Sequence, residues 1–266
     1  MEARAISKAH LPVLTAASGG AAERFAHRMR GRHPAAVFFA ALFTGLAVLV
    51  LASILLALLT MELLVGELGL GGEDQDVVDT IVDERTPFLT DVSEVGSTVG
   101  GAPVLPILVG LVAIAAAFMR KWLIVGFAAF VLAVESATYR ITTIVVPRER
   151  PDVNRLEDLE ADASYPSGHV AASFAVYAGL MILLTSRFPS RGTKIAAWLV
   201  AIIVPLFVGL SRMYRGMHHP LDEGGGLLVG AGAVIVLLFA CRAADAARAT
   251  HTGGATRSAP KERVVA

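Results

Sequence analysis

Long apolar stretches alternate with short polar segments along the chain, and six of them have the length of membrane-spanning helices. They cover roughly residues 35–60, 102–119, 122–146, 170–186, 194–210 and 221–241. A helix crosses the hydrocarbon core of a bilayer with about 17–25 apolar residues. One short stretch alone is also compatible with a buried helix of a soluble protein. Six in series, with few charges, predict an all-α fold, an integral membrane bundle of six transmembrane helices.

The composition supports a membrane protein. The chain has 266 residues, of which 55% are hydrophobic, and a mean hydropathy of +0.64, which is too apolar for an ordinary soluble domain. The formal net charge is zero and gives no reason to expect nucleic acid as a partner. The single cysteine, Cys241, excludes a disulfide within the chain. Neither a zinc-type Cys/His spacing nor a Gly-rich phosphate loop is present, so the sequence indicates no metal and no cofactor.

The distribution of lysine and arginine predicts the orientation in the plasma membrane. With the N-terminus in the cytoplasm, the cytoplasmic segments hold 16 basic residues and the outer segments hold 6. The positive-inside rule favours this orientation, with both termini cytoplasmic. We therefore expect a basic, poorly ordered cytoplasmic tail at residues 1–34, a six-helix membrane domain at 35–241, and a second cytoplasmic tail at 242–266.

The segment 66–101, between the first two apolar stretches, is acidic and is predicted to lie on the extracytoplasmic side. Val77, Val78, Ile81 and Val82 interleave with its acidic residues at helical spacing. This pattern predicts a short amphipathic helix that packs on the bundle. A gate for the substrate, or a surface for a partner, is the alternative interpretation.

Three short polar segments carry candidate chemistry, and the predicted topology puts all three on the outer side. They are Pro147–Pro151 (PRERP), Tyr165–His169 (YPSGH) and Ser211–Asp222 (SRMYRGMHHPLD). Five of the six outer basic residues lie in 148–155 and 212–215, against the positive-inside rule. Positive charge kept there indicates a site for an anion.

The residue types in these segments suit a phosphoryl group. Arg148, Arg150 and Arg212 offer planar forks that match phosphate oxygens. Ser167 and Gly168 lie where a helix is predicted to begin, and free backbone amides with the positive end of the helix dipole favour an anion there.

Two histidines and one aspartate could perform a reaction on that group. One imidazole, of His169 or His218, can attack phosphorus while the other protonates the leaving oxygen. Asp222 follows His218 by four residues, so on one helical turn its carboxylate could hold the other nitrogen of that ring. An incidental helix cap, or a basic anchor at the membrane interface, would explain one segment alone but not all three in this order.

The three segments resemble the signature motifs of the type 2 phosphatidic acid phosphatase superfamily, which also contains vanadium haloperoxidases. The family pattern is K-x6-RP, then PSGH, then SR-x5-H-x3-D. The second motif matches at 166–169 and the third at Ser211–Asp222. The first matches at Arg150–Pro151 but has Thr143 where the family has lysine. The resemblance covers roughly residues 100–241.

The resemblance implies a role for each matching residue. His218 would be the nucleophile that forms a phosphohistidine, Asp222 would orient it, and His169 would be the general acid and then the base that activates water. The phosphate oxygens would be held by Arg150, Arg212, Ser167 and the amide of Gly168. Such enzymes resemble one another in needing no metal. His219, next to the proposed nucleophile, is the less favoured alternative because the motif spacing selects His218.

The lysine position is the departure from the family pattern. Thr143 carries no charge, so one phosphate contact is in doubt. Arg148 lies nearby and is expected to supply the missing charge, with Arg215 as the alternative.

The resulting hypothesis is a membrane lipid phosphatase that acts on a phosphomonoester or diphosphate at the extracytoplasmic face. Candidate substrates are a polyprenyl diphosphate, phosphatidic acid and phosphatidylglycerol phosphate. The alternatives are a phosphatase-like lipid phosphotransferase and an inactive membrane scaffold. Glu135 and Arg140, inside the third stretch, are expected to brace the bundle or to shape the site. The acidic run from Glu157 to Asp162 is expected to be a solvated loop.

Overall fold

The computed structural model describes residues 11–188 and 190–257, with side chains described up to residue 249. A short 3-10 turn at Pro12–Leu14 precedes the α-helices, and helix α2 continues into a π-helical segment at Thr60–Glu67. The helices are α1 Ala21–Arg28, α2 Pro34–Leu59, α3 Leu70–Asp83, α4 Pro87–Val99, α5 Val104–Phe118, α6 Trp122–Val145, α7 Gly168–Arg187, α8 Arg191–Tyr214 and α9 Pro220–Arg257. Extended pairing in the described residues is limited to one isolated bridge between Arg148 and Ala163.

Six helical segments are long and apolar enough to cross a membrane, as the sequence predicted. They are Pro34–Glu67, Pro87–Phe118, Trp122–Val145, Gly168–Arg187, Arg191–Tyr214 and Pro220–Ala249. Many of their large apolar side chains face outward, where a lipid bilayer would cover them. The prediction of an all-helical, six-span membrane bundle is confirmed.

The N-terminal segment is more ordered than its composition indicates. Helix α1 packs against α9 through Ala22 and Ala26, and Leu14 is only 2% exposed. The backbone amide of Val13 donates a hydrogen bond of 3.0 Å to Oγ of Ser186. The expected poorly ordered tail is therefore wrong for residues 11–34, because small and apolar side chains there join the core; residues 1–10 lie outside the described part. At the other end α9 continues helically through 242–257, within the expected second tail, and 258–266 are not described.

The acidic segment 66–101 forms two helices rather than one helix and a loop. The predicted amphipathic helix is α3, whose Val78 is completely buried. Helix α4 begins at Pro87 with Thr86 as its N-cap, and α4 and α5 together make the second candidate span. The expected start of that span near residue 102 is therefore wrong. Ser93 and Ser97 are polar and interrupt the apolar pattern of the sequence, although both are buried inside the protein. The sequence pattern therefore did not reveal this helix.

Helix α9 lies at the centre of the bundle and packs against α2, α6 and α7. A Cβ atom placed on Gly226 would lie 2.6 Å from the backbone oxygen of Ser167, so only glycine allows this approach of α9 to the start of α7. The backbone amide of Ser167 consequently reaches the backbone oxygen of Asp222 at 2.9 Å. This contact joins two of the polar segments directly.

The chain direction brings all three polar segments to one end of the bundle. Helices α6 and α8 end there, α7 and α9 begin there, and the loop 146–167 connects α6 to α7. Helix α3 lies at the same end, against α8 and α9. Residues that are distant in sequence therefore meet in one polar cluster.

Candidate active site

His218 lies in the turn between α8 and α9 with its ring nitrogens in different surroundings. Its Nδ1 is 2.7 Å from the backbone oxygen of Ser164. Because a carbonyl oxygen only accepts, Nδ1 must carry the proton, and Nε2 of the neutral ring keeps its lone pair. Burial lowers the pKa of His218 to about 4, although Asp222 opposes this shift. The neutral, nucleophilic form of the ring is therefore favoured near neutral pH.

Asp222 contacts His218 less directly than its four-residue spacing suggested. Its Oδ2 lies 3.7 Å from Nδ1 of His218, beyond hydrogen-bond distance. The same oxygen accepts from Oγ of Ser164 at 2.6 Å and from the backbone amide of His219 at 2.8 Å. Ser164 thus lies between the two groups: its hydroxyl donates to Asp222, and its carbonyl oxygen accepts from His218. No sequence pattern indicated Ser164, which lies outside the recognisable motifs.

Arg212 is completely buried and has donors left without a partner. Its Nη1 donates to Oγ of Ser97 at 2.6 Å and to both carboxylate oxygens of Glu157 at 2.8 Å. Its Nε and Nη2 have no hydrogen-bond partner within the described part of the chain. A buried donor without a partner costs about 1–3 kcal/mol, and more when it is charged. A phosphoryl group, with several acceptor oxygens, would satisfy them.

Glu157 does not behave as part of a solvated loop, and that expectation is wrong for this residue. Its side chain is 24% exposed, and Oε1 accepts from Nε of Arg215 at 2.6 Å as well as from Arg212. Burial raises the pKa of Glu157, but Arg212, Arg215 and Ser97 outweigh burial and lower it to about 2. The rest of the acidic run, at Asp158, Glu160 and Asp162, is exposed as expected.

Arg150 is fixed by backbone oxygens close to His218. Its guanidinium donates to Glu160 at 2.8 Å, Ala163 at 2.9 Å and Met217 at 2.6 Å, and its Nη1 is 3.5 Å from Nε2 of His218. Burial and the neighbouring charge of Arg212 lower the pKa of Arg150. A positive group is thus held beside the nitrogen that keeps its lone pair.

Arg148, the expected substitute for the motif lysine, pairs with two carboxylates and is not among the residues that line the cavity described below. Its Nη1 donates to Oδ1 of Asp222 at 2.5 Å and its Nη2 to Oδ2 of Asp74 at 2.6 Å. Burial lowers the pKa of Arg148, but the two carboxylates outweigh burial and raise it. Thr143, at the lysine position of the first motif, donates to the backbone oxygen of Tyr165 at 3.2 Å.

The PSGH segment forms the start of α7. Oγ of Ser167 accepts from the amide of Val170 at 3.5 Å and caps the helix, and the residue is fully buried. Gly168 and His169, the next two residues, line the cavity described below. A Cβ atom on Gly101 would lie 2.9 Å from Nε2 of His169, so the junction of α4 and α5 closes tightly over that ring.

A cavity of about 450 Å³ connects these groups. His169, His218, Arg150 and Arg212 line one part of it. Helix α6 supplies another wall, with Glu135, Ser136, Tyr139 and Arg140, and apolar Leu105, Pro106 and Leu132 complete it. The cavity therefore joins a cluster of two histidines and two arginines to apolar residues of two candidate membrane-spanning segments.

Glu135 and Arg140 both face this cavity, which favours the site-shaping expectation over bracing alone. Glu135 is 2% exposed, its Oε2 accepts from Oγ of Ser136 at 3.0 Å, and its Oε1 is buried with no partner in the described residues.

No three His, Cys, Asp or Glu side chains among the described residues form a group that could hold a metal ion.

Comparison with known proteins identifies a family segment within this architecture. Residues 123–245 match the model of the PAP2 superfamily. Phosphatidylglycerophosphatase B of Bacillus subtilis is 26% identical over 60% of this chain and 77% of its own length. The bacitracin transport permease protein BcrC of Bacillus licheniformis is 36% identical over 30% of this chain, which spans only 34% of that relative.

A solved structure has the same fold. The crystal structure of a transmembrane PAP2-type phosphatidylglycerolphosphate phosphatase from Bacillus subtilis superposes with a TM-score of 0.60 at 23% identity. The superposition covers 82% of this chain and 98% of that one. By the family match and the similar relatives, residues 123–245 form a PAP2 superfamily segment within this six-helix fold.

Proposed function

We propose that the protein is a membrane lipid phosphatase that hydrolyses a phosphomonoester or diphosphate through a phosphohistidine. The observation that carries this proposal is Arg212, whose two buried, unpartnered donors lie in the wall of a cavity shared with His218 and His169. An anion with several oxygens satisfies such donors, and two imidazoles beside it supply a nucleophile and a proton donor.

In the first half of the reaction, Nε2 of His218 attacks phosphorus. The bond between phosphorus and the leaving oxygen breaks, and protonated His169 gives that oxygen its proton. The products are the dephosphorylated lipid, or a lipid monophosphate from a diphosphate, and phosphohistidine. Arg150 and Arg212, with the amide of Gly168, stabilise the negative charge on the phosphoryl oxygens. The proton stays on Nδ1 of His218, which donates a hydrogen bond to the carbonyl oxygen of Ser164, so Nε2 is the nitrogen that attacks.

In the second half, His169, now neutral, takes a proton from water. The hydroxide formed attacks phosphorus, the bond to Nε2 of His218 breaks, and inorganic phosphate leaves. Asp222 stabilises the positive charge that the His218 ring carries in both transition states, because its negative charge lies 3.7 Å from Nδ1. Ser167 acts by capping α7 and linking to Asp222 rather than by a direct contact with phosphate.

A lipid substrate is supported by the position of the cavity. Its walls come from membrane-spanning helices and include apolar residues of α5 and α6, so a substrate dissolved in the bilayer can reach the histidines between helices. Phosphatidylglycerophosphatase B of Bacillus subtilis and an undecaprenyl-diphosphatase of Sulfolobus acidocaldarius are among the similar proteins. Both names describe phosphates of membrane lipids, the class proposed here.

The active site is proposed to face the extracytoplasmic side of the plasma membrane. The support is the 16-to-6 distribution of basic residues, which assigns the polar cluster to the outer side and the basic segments 1–34 and 242–266 to the cytoplasm.

The test is phosphate release by the purified protein in detergent, with phosphatidic acid, phosphatidylglycerol phosphate and a polyprenyl diphosphate in turn. Excess EDTA is present, and wild type is compared with His218→Ala. Release that resists EDTA and is lost in the variant is the expected result. EDTA-sensitive release would overturn the mechanism. Phosphate transfer to an added acceptor lipid in place of release would establish the phosphotransferase alternative.

A further inference from the structure

The outer helix α3 reaches into the candidate active site through one buried carboxylate. Among the nine acidic residues of the segment 66–101, Asp74 is 5% exposed and the other eight are exposed. Burying a charge is unfavourable unless it is paired and hydrogen-bonded, so its partners reveal what holds it there. Both of its oxygens are used for contacts with the PAP2-type site.

The first contact fixes the start of α9. Oδ1 of Asp74 accepts from the backbone amide of Leu221 at 3.0 Å. Leu221 immediately precedes Asp222, and its amide is one of the free donors at a helix N-terminus. Asp74 therefore caps α9 from another helix and limits the movement of the backbone that carries Asp222.

The second contact forms a chain of charges. Oδ2 of Asp74 accepts from Nη2 of Arg148 at 2.6 Å, and Nη1 of Arg148 donates to Oδ1 of Asp222 at 2.5 Å. The Arg148 side chain is only 9% exposed. Solvent therefore screens these contacts weakly, and a change of charge at either carboxylate alters the electrostatic interaction of Arg148 with the other.

The chain continues to the proposed nucleophile. The other oxygen of Asp222, Oδ2, accepts from the hydroxyl of Ser164 at 2.6 Å, and the carbonyl of Ser164 accepts from Nδ1 of His218 at 2.7 Å. The sequence of contacts is Asp74, Arg148, Asp222, Ser164, His218. It begins on a helix outside residues 123–245, the segment that matches the family model.

We propose that Asp74 is a positioning residue of the phosphatase reaction, which acts on His218 through Arg148 and Asp222. It balances the charge of Arg148, so that Asp222 keeps its full negative charge for the His218 ring. It also holds the Leu221 backbone in place. This inference rests on the proposed function, because it concerns the same reaction.

The test uses two substitutions of Asp74 that separate its charge from its shape. Asp74→Asn removes the charge but keeps the shape, and Asp74→Glu keeps the charge. We expect Asp74→Asn to lower kcat by about tenfold or more, as loss of an outer partner of a reactive group commonly does, with KM changed less than twofold. Asp74→Glu should recover part of that loss. Asp76→Asn, an exposed carboxylate on the same helix, is the matched control and should keep the wild-type kcat.

A double-mutant cycle distinguishes positioning from simple stabilisation. If Asp74 acts through Arg148, the double variant Asp74→Asn/Arg148→Gln should lose no more activity than Arg148→Gln alone. Val78→Ala weakens the packing of α3 without touching the charges, and it should lower the melting temperature while kcat is kept.

The outcomes separate this inference from the proposed function. Three results would each overturn the inference: a wild-type kcat in Asp74→Asn, additive losses of activity in the cycle, or an equal loss of kcat in Val78→Ala. The proposed phosphatase activity would still stand in these cases, provided that wild type releases phosphate and His218→Ala does not. No release from wild type with any of the lipids would overturn the proposed function and this inference together.

Discussion

The carboxylate of Glu157 holds one nitrogen of Arg212 with both of its oxygens, each at 2.8 Å. That nitrogen is Nη1, while Nε and Nη2 are buried and have no hydrogen-bond partner in the described chain. The acidic residue in the loop 146–167 therefore orients the arginine that is proposed to bind phosphate. The charge of Glu157 is paired with Arg212 and Arg215, and Glu157 is not among the residues that line the cavity.

Replacement of Glu157 by glutamine is expected to impair activity and to change the stability at acid pH. With Arg212 less firmly oriented, kcat/KM should fall about tenfold or more. The pKa of Glu157 is about 2 against an ordinary 4.5. A carboxylate with a lowered pKa stabilises the folded state above its unfolded pKa, and this contribution disappears as the pH falls towards 2. Between pH 4.5 and 2 the melting temperature of wild type should therefore fall more steeply than that of Glu157→Gln, whereas identical curves would contradict the assignment.

The two adjacent histidines are expected to differ sharply. His218→Ala should abolish phosphate release and the acid-labile phosphoenzyme, because Nε2 of His218 is the proposed nucleophile. His219 meets Asp222 through its backbone amide at 2.8 Å, a contact that alanine retains. Its ring lies 3.3 Å from Oδ2 of Asp222 and 3.3 Å from Oε1 of Gln75, and alanine loses both of these weaker contacts. His219→Ala should therefore keep measurable turnover and labelling. Quenched-flow labelling with radioactive substrate measures both, and a phosphoenzyme that vanishes only in His219→Ala would reverse the assignment.

Glu135 should show a conflict between stability and activity. An unpaired polar oxygen buried at membrane depth is unfavourable, so Glu135→Leu removes a destabilising group. We expect the melting temperature in detergent to rise by about 2–4 °C for each kcal/mol gained. Because Glu135 lines the cavity, kcat/KM for the lipid should fall in the same variant. Lower stability together with unchanged kinetics would show that Glu135 braces the bundle instead.

Two glycines on α9 provide a matched test of the contact between α7 and α9. A Cβ atom on Gly226 meets the backbone oxygen of Ser167 at 2.6 Å, whereas one on Gly224 meets nothing within 4 Å. Gly226→Ala should cost about 1–3 kcal/mol of stability and displace the proposed site, so activity should fall strongly. Gly224→Ala should be neutral or slightly stabilising, because alanine is the better helix former. Similar melting temperatures and activities of the two variants would argue against the tight contact.

The sequence predicted the six spans and the five motif residues His169, His218, Asp222, Arg150 and Arg212, because hydropathy and motif spacing are local properties of the chain. The structure brings these five residues into one cluster. It also shows what local patterns could not. Asp74 and Ser97 lie on helices that are far from the motifs in sequence, and only the packing of α3 and α4 against the site reveals them.

Other departures have the same origin. Arg148 has the charge and position in sequence of a phosphate ligand, but two carboxylates from different helices bind it. Ser164 contributes a hydroxyl and a carbonyl between Asp222 and His218, although no motif includes it. Side chains around residues 11–28 pack on α9, and their basic neighbours hid this tendency in the sequence. Each departure is a tertiary contact that overrides a local expectation.

The hydrogen bond from the amide of Ser167 to the carbonyl of Asp222 joins two signature segments through their backbones. Side-chain rotation cannot break this link, so the relative position of His169 and His218 is determined when α7 and α9 dock during folding. The protein then starts every catalytic cycle with its hydrogen-bond donors and its nucleophile already oriented. The chemical step therefore requires little reorganisation of the protein. Mobility between cycles should accordingly belong to the lipid that diffuses in and out, and the two histidines should keep their separation whether or not the cavity is filled.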